Sequence, residues 1–267
     1  MDRLLGVLRA IILPLGWICA LLAVTVPVWF LVAALGTKWE FWTVAFGLDW
    51  MTHSAGYKLL LACLVAGLLG AVLMLVYRIL GREAVGVVTS PVLALVVAAT
   101  GLSWDWHVDR ARATTPLLLD ITTDPDDPPH FTPSFQARRS RADATLDYAA
   151  KRAPDGRPLA EVQAAAYPGL VTARVPLAPD TVFRRALDYA HEERWRVGTA
   201  SESAAMFEAG AESVWFGLRD DIVVRVREDG EGGSLVDIRS LARNPGIHDL
   251  GRNARRVRDF LGAMSPA

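Results

Sequence analysis

The chain has 267 residues, with 28 Lys and Arg against 29 Asp and Glu and a formal net charge of −1. Hydrophobic residues make up 52% and charged residues 21%, which excludes a disordered or collagen-like chain. The balanced charge also argues against a general nucleic-acid binder, which is usually basic. The charge is unevenly spread. Residues 1–103 hold 6 basic and 4 acidic residues, and residues 104–267 hold the remaining 22 and 25. The first part is nearly charge-free, and the second is long enough for one domain with its own core.

Three charge-free stretches open the chain: 28 residues between Arg9 and Lys38, 19 between Lys58 and Arg78, and 21 between Glu83 and Asp105. A membrane-crossing helix needs about 20 apolar residues. All three qualify, and the first is too long for a cleaved signal peptide. Pro14, Pro27 and Pro91 are tolerable in such helices. Arg3 and Arg9 precede the first span, and Arg78 and Arg82 flank the turn Tyr77–Glu83 between the second and third. The loop Thr37–Tyr57 carries only Lys38, with Lys58 at its edge. Short-loop positive charge then places the N-terminus in the cytoplasm and, after three crossings, the polar domain outside, in the periplasm of a bacterial inner membrane. Trp39, Trp42, Trp50, Trp104 and Trp106 fall on the outer side, where an amphipathic ring is comfortable. Cys19 and Cys63 lie within spans, so the outer domain has neither a disulfide nor a thiolate metal site.

Thr114–Pro133 holds five prolines and a run of aspartates, which predicts an extended strap from membrane to domain rather than a helix. Its Leu117, Leu118, Leu119, Ile121 and Phe131 are too apolar for a free linker, so the strap should pack on the domain. Arg138–Arg152 is charged and gives no clear periodicity, and Pro158–Ala166 is a short helix candidate. Beyond it the pattern predicts a strand over Leu170–Leu177 and a helix from an Asp180 N-cap to about Arg194. Strands follow at Trp195–Thr199, Ala204–Ser213, Asp221–Arg227 and Leu235–Leu241, then a helix over Asp249–Met264. The expected fold is a multi-pass α-helical membrane segment (1–103), a Pro/Asp-rich strap (104–133) and an α+β domain (134–267). That domain has an antiparallel sheet with helices packed on one face.

The glycine-rich turn Glu228–Ser234 sets a hairpin register in which Arg225 faces Asp237 and Val223 faces Arg239. Asp221, Arg225, Arg227, Asp237 and Arg239 then share one face, with Ile222, Val224, Val226, Val236 and Ile238 on the other. The charged face reads either as a solvated surface or as an anion-binding one, since Arg presents a planar fork to carboxylate or phosphate. The last helix adds Arg252, Arg255, Arg256 and Arg258, which could meet anionic head groups or the acids of a neighbouring element. The sequence has no HExxH, GxSxG, P-loop or dinucleotide fingerprint. Asp124, Asp126 and Asp127 lack EF-hand spacing. No metal site and no cofactor are expected.

The segments DITTDPDDPPHF, QAAAYP, WFGLRDDIVVRV, VDIRSLARN and HDLGRNARRVRDFL, in this order between Leu117 and Leu261, resemble the domain of unknown function 1499 family. The resemblance implies a fold and a set of motif positions, not an activity. Those positions are Tyr167, Pro168, Phe216, Asp220, Asp221, Arg225, Asp237, Arg239, Ser240, Arg243, Asp249, Gly251, Asn253 and Arg256. NPGIHDLG departs from the Gly/Ser-like turn expected before DLG, at Asn244–His248. The candidate ligand-binding set is Asp220, Asp221, Arg225, Asp237, Arg239, Arg243, Asp249, Asn253 and Arg256. It would serve a non-catalytic domain that binds a partner protein or an anionic lipid or small molecule, beside the bilayer itself. Two alternatives are a periplasmic hydrolase using Asp220/Asp221 with His248, and an accessory subunit of a membrane complex.

Overall fold

The computed structural model describes residues 2–80, 89–137, 139 and 145–265, with side chains from residue 6. The chain falls into two compact units, one of residues 1–110 with 215–217 and one of residues 111–214 with 218–267. The turn residues Arg82 and Glu83, the Arg3 side chain and most of the charged stretch 138–144 lie outside the described residues.

The first unit is built on α1 (Asp2–Lys38), α2 (Tyr57–Ile79) and α3 (Ser90–Thr114). All three are long and apolar enough to cross a membrane. Residues Ala45–Gly56, expected to lie in a loop, form wide π-helical turns running straight into α2. Apolar side chains give little drive for helix association in lipid, so close packing of small residues matters more. Gly67 and Gly70 let α2 approach Pro91 and Leu95, where an added Cβ would come within 3.0 Å of the facing side chains. Cys19 and Cys63 are buried in the bundle and donate to the carbonyls of Ala66 and Ala94. The Ser90 hydroxyl donates to the Gly16 carbonyl. Trp39, Trp50, Trp104 and Trp106 stay exposed. Helix α3 continues to Thr114, past the point where the strap was expected to begin.

The second unit is one antiparallel sheet with helices. Its strands are β1 (Asp120–Thr122), β2 (Ala173–Val175), β3 (Arg196–Ser201), β4 (Met206–Glu212), β5 (Arg219–Glu228) and β6 (Ser234–Ala242). Their order is β1-β6-β5-β4-β3, with β2 also pairing with β6. The β5–β6 register places Arg225 opposite Asp237 and Val223 opposite Arg239, as the turn predicts. The helices are α4 (Pro133–Gln136), α5 (Leu159–Ala166), α6 (Pro179–Glu192) and α7 (Arg252–Met264). Pro179, not Asp180, sets the start of α6, because its fixed φ and missing N–H suit the first helical position. Helix α7 begins three residues later than expected, since Gly251 before it has φ of 72°.

Helices α6 and α7 close the main core. Val182, Phe183, Ala186, Val257 and Phe260 meet Ile222, Val224, Val226, Val236 and Ile238 from the sheet. Leu118 and Ile121 of the strap enter the same core, because strand β1 forms within the strap and adds to the sheet at β6. Further along, Phe131 and Phe135 lie on the opposite face, over Val223 and Leu241. The sheet is therefore covered on both faces: by helices on one, by the strap on the other.

Candidate functional site

The charged face of β5–β6 is largely covered, with its acids and Arg239 buried and Arg227 and Arg243 at its open rim. Asp221 and Asp237 are fully buried and Arg239 is 1% exposed. Covering it is the strap, whose polar groups meet the sheet charges. Arg239 makes two bonds to Asp120 at 2.7 and 3.0 Å, donates to the Leu146 carbonyl, and stacks between the rings of Phe131 and Tyr148. Lys151 reaches the same carboxylate at 2.6 Å. Burial lowers the Lys151 pKa and raises that of the Tyr148 hydroxyl. Arg225 and Arg227 both hold Asp237, at 3.1 and 2.7 Å, while Thr123 and Thr172 donate to its other oxygen. Both arginines also reach Asp124 and Asp127 of the strap. These strap aspartates thus neutralise arginines. No metal-holding group of His, Cys, Asp and Glu occurs among the described residues. Buried Glu208 accepts from the Thr132 amide and hydroxyl, tying the strap to β4.

The nine candidate residues form two clusters rather than one. Neighbours in a strand point to opposite faces, so Asp220 lies on the helix side and Asp221 on the strap side. Asp221, Arg225, Asp237, Arg239 and Arg243 belong to the strap side. Asp221 is held by Arg139 and by Arg243 at 2.8 Å. Asp220, Asp249, Asn253 and Arg256 belong to the helix side. There Asp220 accepts a bidentate pair from Arg252 at 2.7 and 2.8 Å and a third bond from Arg256 at 2.7 Å. Arg256 also donates to Ser240 and to the Asn253 carbonyl. Asp249 accepts from the Gly251 amide and from both the amide and side chain of Asn253, and so caps α7 from outside it. Arg252 and Arg256 therefore meet an acid of the sheet, which removes Arg256 from the surface expected with Arg225 and Arg239.

The expected hydrolytic set is not assembled. Asp220 and Asp221 face apart, and each is closed by two cations. His248 donates through Nε2 to the Thr115 carbonyl at 3.1 Å and accepts the Leu250 amide on Nδ1 at 3.0 Å. Both ring nitrogens are committed to backbone.

One recess opens on the strap side, with a volume of about 440 Å³. Phe135, Arg196, Arg219, Arg243 and the backbone at Gly198 and Gly210 line it. Gly210 pairs with both Arg196 and Asp221, so its missing side chain leaves the floor open between flanking strands. Arg196 and Arg219 share one carboxylate, Glu212, at 2.5 and 3.7 Å, with side chains 66% and 44% exposed. Arg243, fixed by Asp221, is a quarter exposed. Three guanidinium groups thus converge on one concavity. Sequence reasoning found Arg243 but not the other two. Arg219 was within reach, since it lies two residues before Asp221 in the same alternating strand. Arg196 carried no such signal, because the β3–β4 register shifts between Val197 and Thr199.

These features define a class: a small antiparallel α+β domain with internally paired charges, joined in sequence to three apolar helices. The chain belongs to the family described as Protein of unknown function (DUF1499), whose model matches residues 120–264. No curated protein matches this chain. A crystal structure of Ara h 8.0201 aligns over 35% of this chain and 90% of its own at 9% identity, with a TM-score of 0.29. A likeness that distant carries no argument.

Proposed function

We propose that this is a bacterial inner-membrane protein whose periplasmic domain binds an anionic ligand without catalysis, at the recess lined by Arg196, Arg219 and Arg243. The observation that carries the reading is the convergence of three guanidinium groups over the open floor at Gly210. Arg forks suit carboxylate and phosphate, and a concave site excludes water from one side of the ligand. The buried carboxylates Asp120, Asp220, Asp221 and Asp237 are each held by two cations within the fold. Arg9 and Arg78, with Arg3 and Arg82, support a cytoplasmic N-terminus, and the tryptophans support an interfacial belt on the other side.

Two measurements test this. A reporter active only in the periplasm, fused after Ala267, should be active, and activity of a cytoplasmic reporter there would overturn the compartment. The full-length protein in neutral detergent should melt at higher temperature with small anions present. The double variant Arg196→Gln/Arg219→Gln should lose that response. Equal melting with and without every anion would remove the binding reading.

A further inference from the structure

Resting on that reading, we infer that the recess takes a dianionic phosphate monoester, with the organic part of the ligand lying against Phe135. Four observations lead there. The two exposed arginines come from different strands, Arg196 from β3 and Arg219 from β5, and flank Gly210 of β4 from opposite sides. A tetrahedral group with three free oxygens can be held from both sides at once. A planar carboxylate is matched by a single fork. Secondly, each of these arginines is already oriented. Glu212 sits between Arg196 and Arg219, and Asp221 fixes Arg243 through two nitrogens to one oxygen. Orienting contacts of this kind lower the entropic cost of gripping a ligand.

Thirdly, the field favours charge −2 over charge −1, since the Coulomb term at a given position scales with ligand charge. Each carboxylate near the recess is offset by two cations: Glu212 by Arg196 and Arg219, Asp221 by Arg139 and Arg243, and Asp220, whose side chain lies on the other face, by Arg252 and Arg256. Fourthly, the space exceeds a bare phosphate. About 440 Å³ leaves room for an attached group, and Phe135 supplies an apolar wall for it.

The ester could be a soluble metabolite or the head group of a lipid, and the same chemistry recognises both. Calorimetric titration of the full-length protein in neutral detergent separates them. The probes are glycerol phosphate, dihexanoyl phosphatidic acid, dimethyl phosphate and succinate. Glycerol phosphate should bind at least about tenfold tighter than dimethyl phosphate, a singly charged diester. Its affinity should fall as pH drops through about 6, where the monoester takes up its second proton. Tighter binding of the short-chain lipid than of glycerol phosphate assigns the source to the membrane. Equal or weaker binding assigns it to solution.

Arg196→Gln/Arg219→Gln should weaken the monoester about thirtyfold, for the loss of two arginines beside the anion. Gly210→Val keeps every charge but fills the floor. An added Cβ there meets only the Asp220 carbonyl, at 3.8 Å, so the strand accommodates it. This variant should also lose binding while its melting temperature stays near that of the parent. Equal affinity for dimethyl phosphate, or binding unchanged in both variants, would overturn the phosphate site. If succinate binds best, the anion reading stands and the monoester assignment falls. If no probe binds, both fall.

Discussion

Arg225 Nη2 lies 3.1 Å from the buried carboxylate of Asp237, directly across the β5–β6 ladder. Arg227 reaches the same oxygen at 2.7 Å, two residues further along the strand. The pattern recurs in this domain. Asp120 has Arg239 and Lys151, Asp220 has Arg252 and Arg256, and Asp221 has Arg139 and Arg243. A buried carboxylate with two cations keeps its charge compensated even when one partner swings away. Desolvation offsets much of the Coulomb gain, so the pairs contribute less net stability than their number suggests.

Removing the acid should therefore cost more than removing either base. Asp237→Asn leaves Arg225 and Arg227 facing each other beneath the strap, with only Asp124 and Asp127 to hold them. Unfolding in denaturant should show a loss of about 3 kcal/mol. A loss below about 1 kcal/mol would show that the strap aspartates suffice.

The strap should behave as part of the domain. Ile121 is fully buried and Leu118 and Phe131 nearly so. Ile121→Ala should destabilise the domain by about 3 kcal/mol. Limited proteolysis of the wild-type protein should leave Leu117–Phe131 uncut while the domain stays folded. Rapid cutting there would mark a flexible tether.

Asp229 in the β5–β6 turn accepts the amides of Glu231 and Gly233, each at 2.8 Å. Those bonds, led by the one from Glu231, hold its pKa below the usual carboxylate value of 3.8. A carboxylate lowered on folding stabilises the fold above its unfolded pKa, and the contribution disappears as pH falls through the folded value. Melting of Asp229→Asn should thus differ from wild type at neutral pH, and the two curves should converge in acid below 3.8. Parallel curves down to the lowest pH would contradict this.

Gly251 precedes α7 at φ of 72°, and a Cβ there would meet Thr115 Cγ2 at 3.3 Å and the Tyr167 hydroxyl at 3.4 Å. The left-handed backbone alone costs an L-residue about 1–2 kcal/mol. Gly251→Ala should lower stability by at least that amount in equilibrium unfolding. An unchanged midpoint would show that the turn can re-form.

Much of this was legible in the sequence. Charge-free stretches of the right length mark the three apolar helices, because hydropathy is a local property. The β5–β6 register follows from strict alternation around a short glycine-rich turn, which leaves one pairing that buries Ile222, Val224, Val226, Val236 and Ile238 together. The apolar residues of the strap likewise show that it must pack. What alternation could not give is whether a charged face is wet. That depends on a segment about a hundred residues earlier, Asp120–Phe135, folding back across the sheet and bringing Asp120, Asp124, Asp127 and Phe131 onto Arg225, Arg227 and Arg239. Only the tertiary structure decides that cover, since it rests on long-range pairing of β1 with β6. The pairing of β3 and β5 with β4 brings the exposed Arg196 and Arg219 to either side of Gly210. Arg196 joins that pair only through a strand whose register a bulge has shifted.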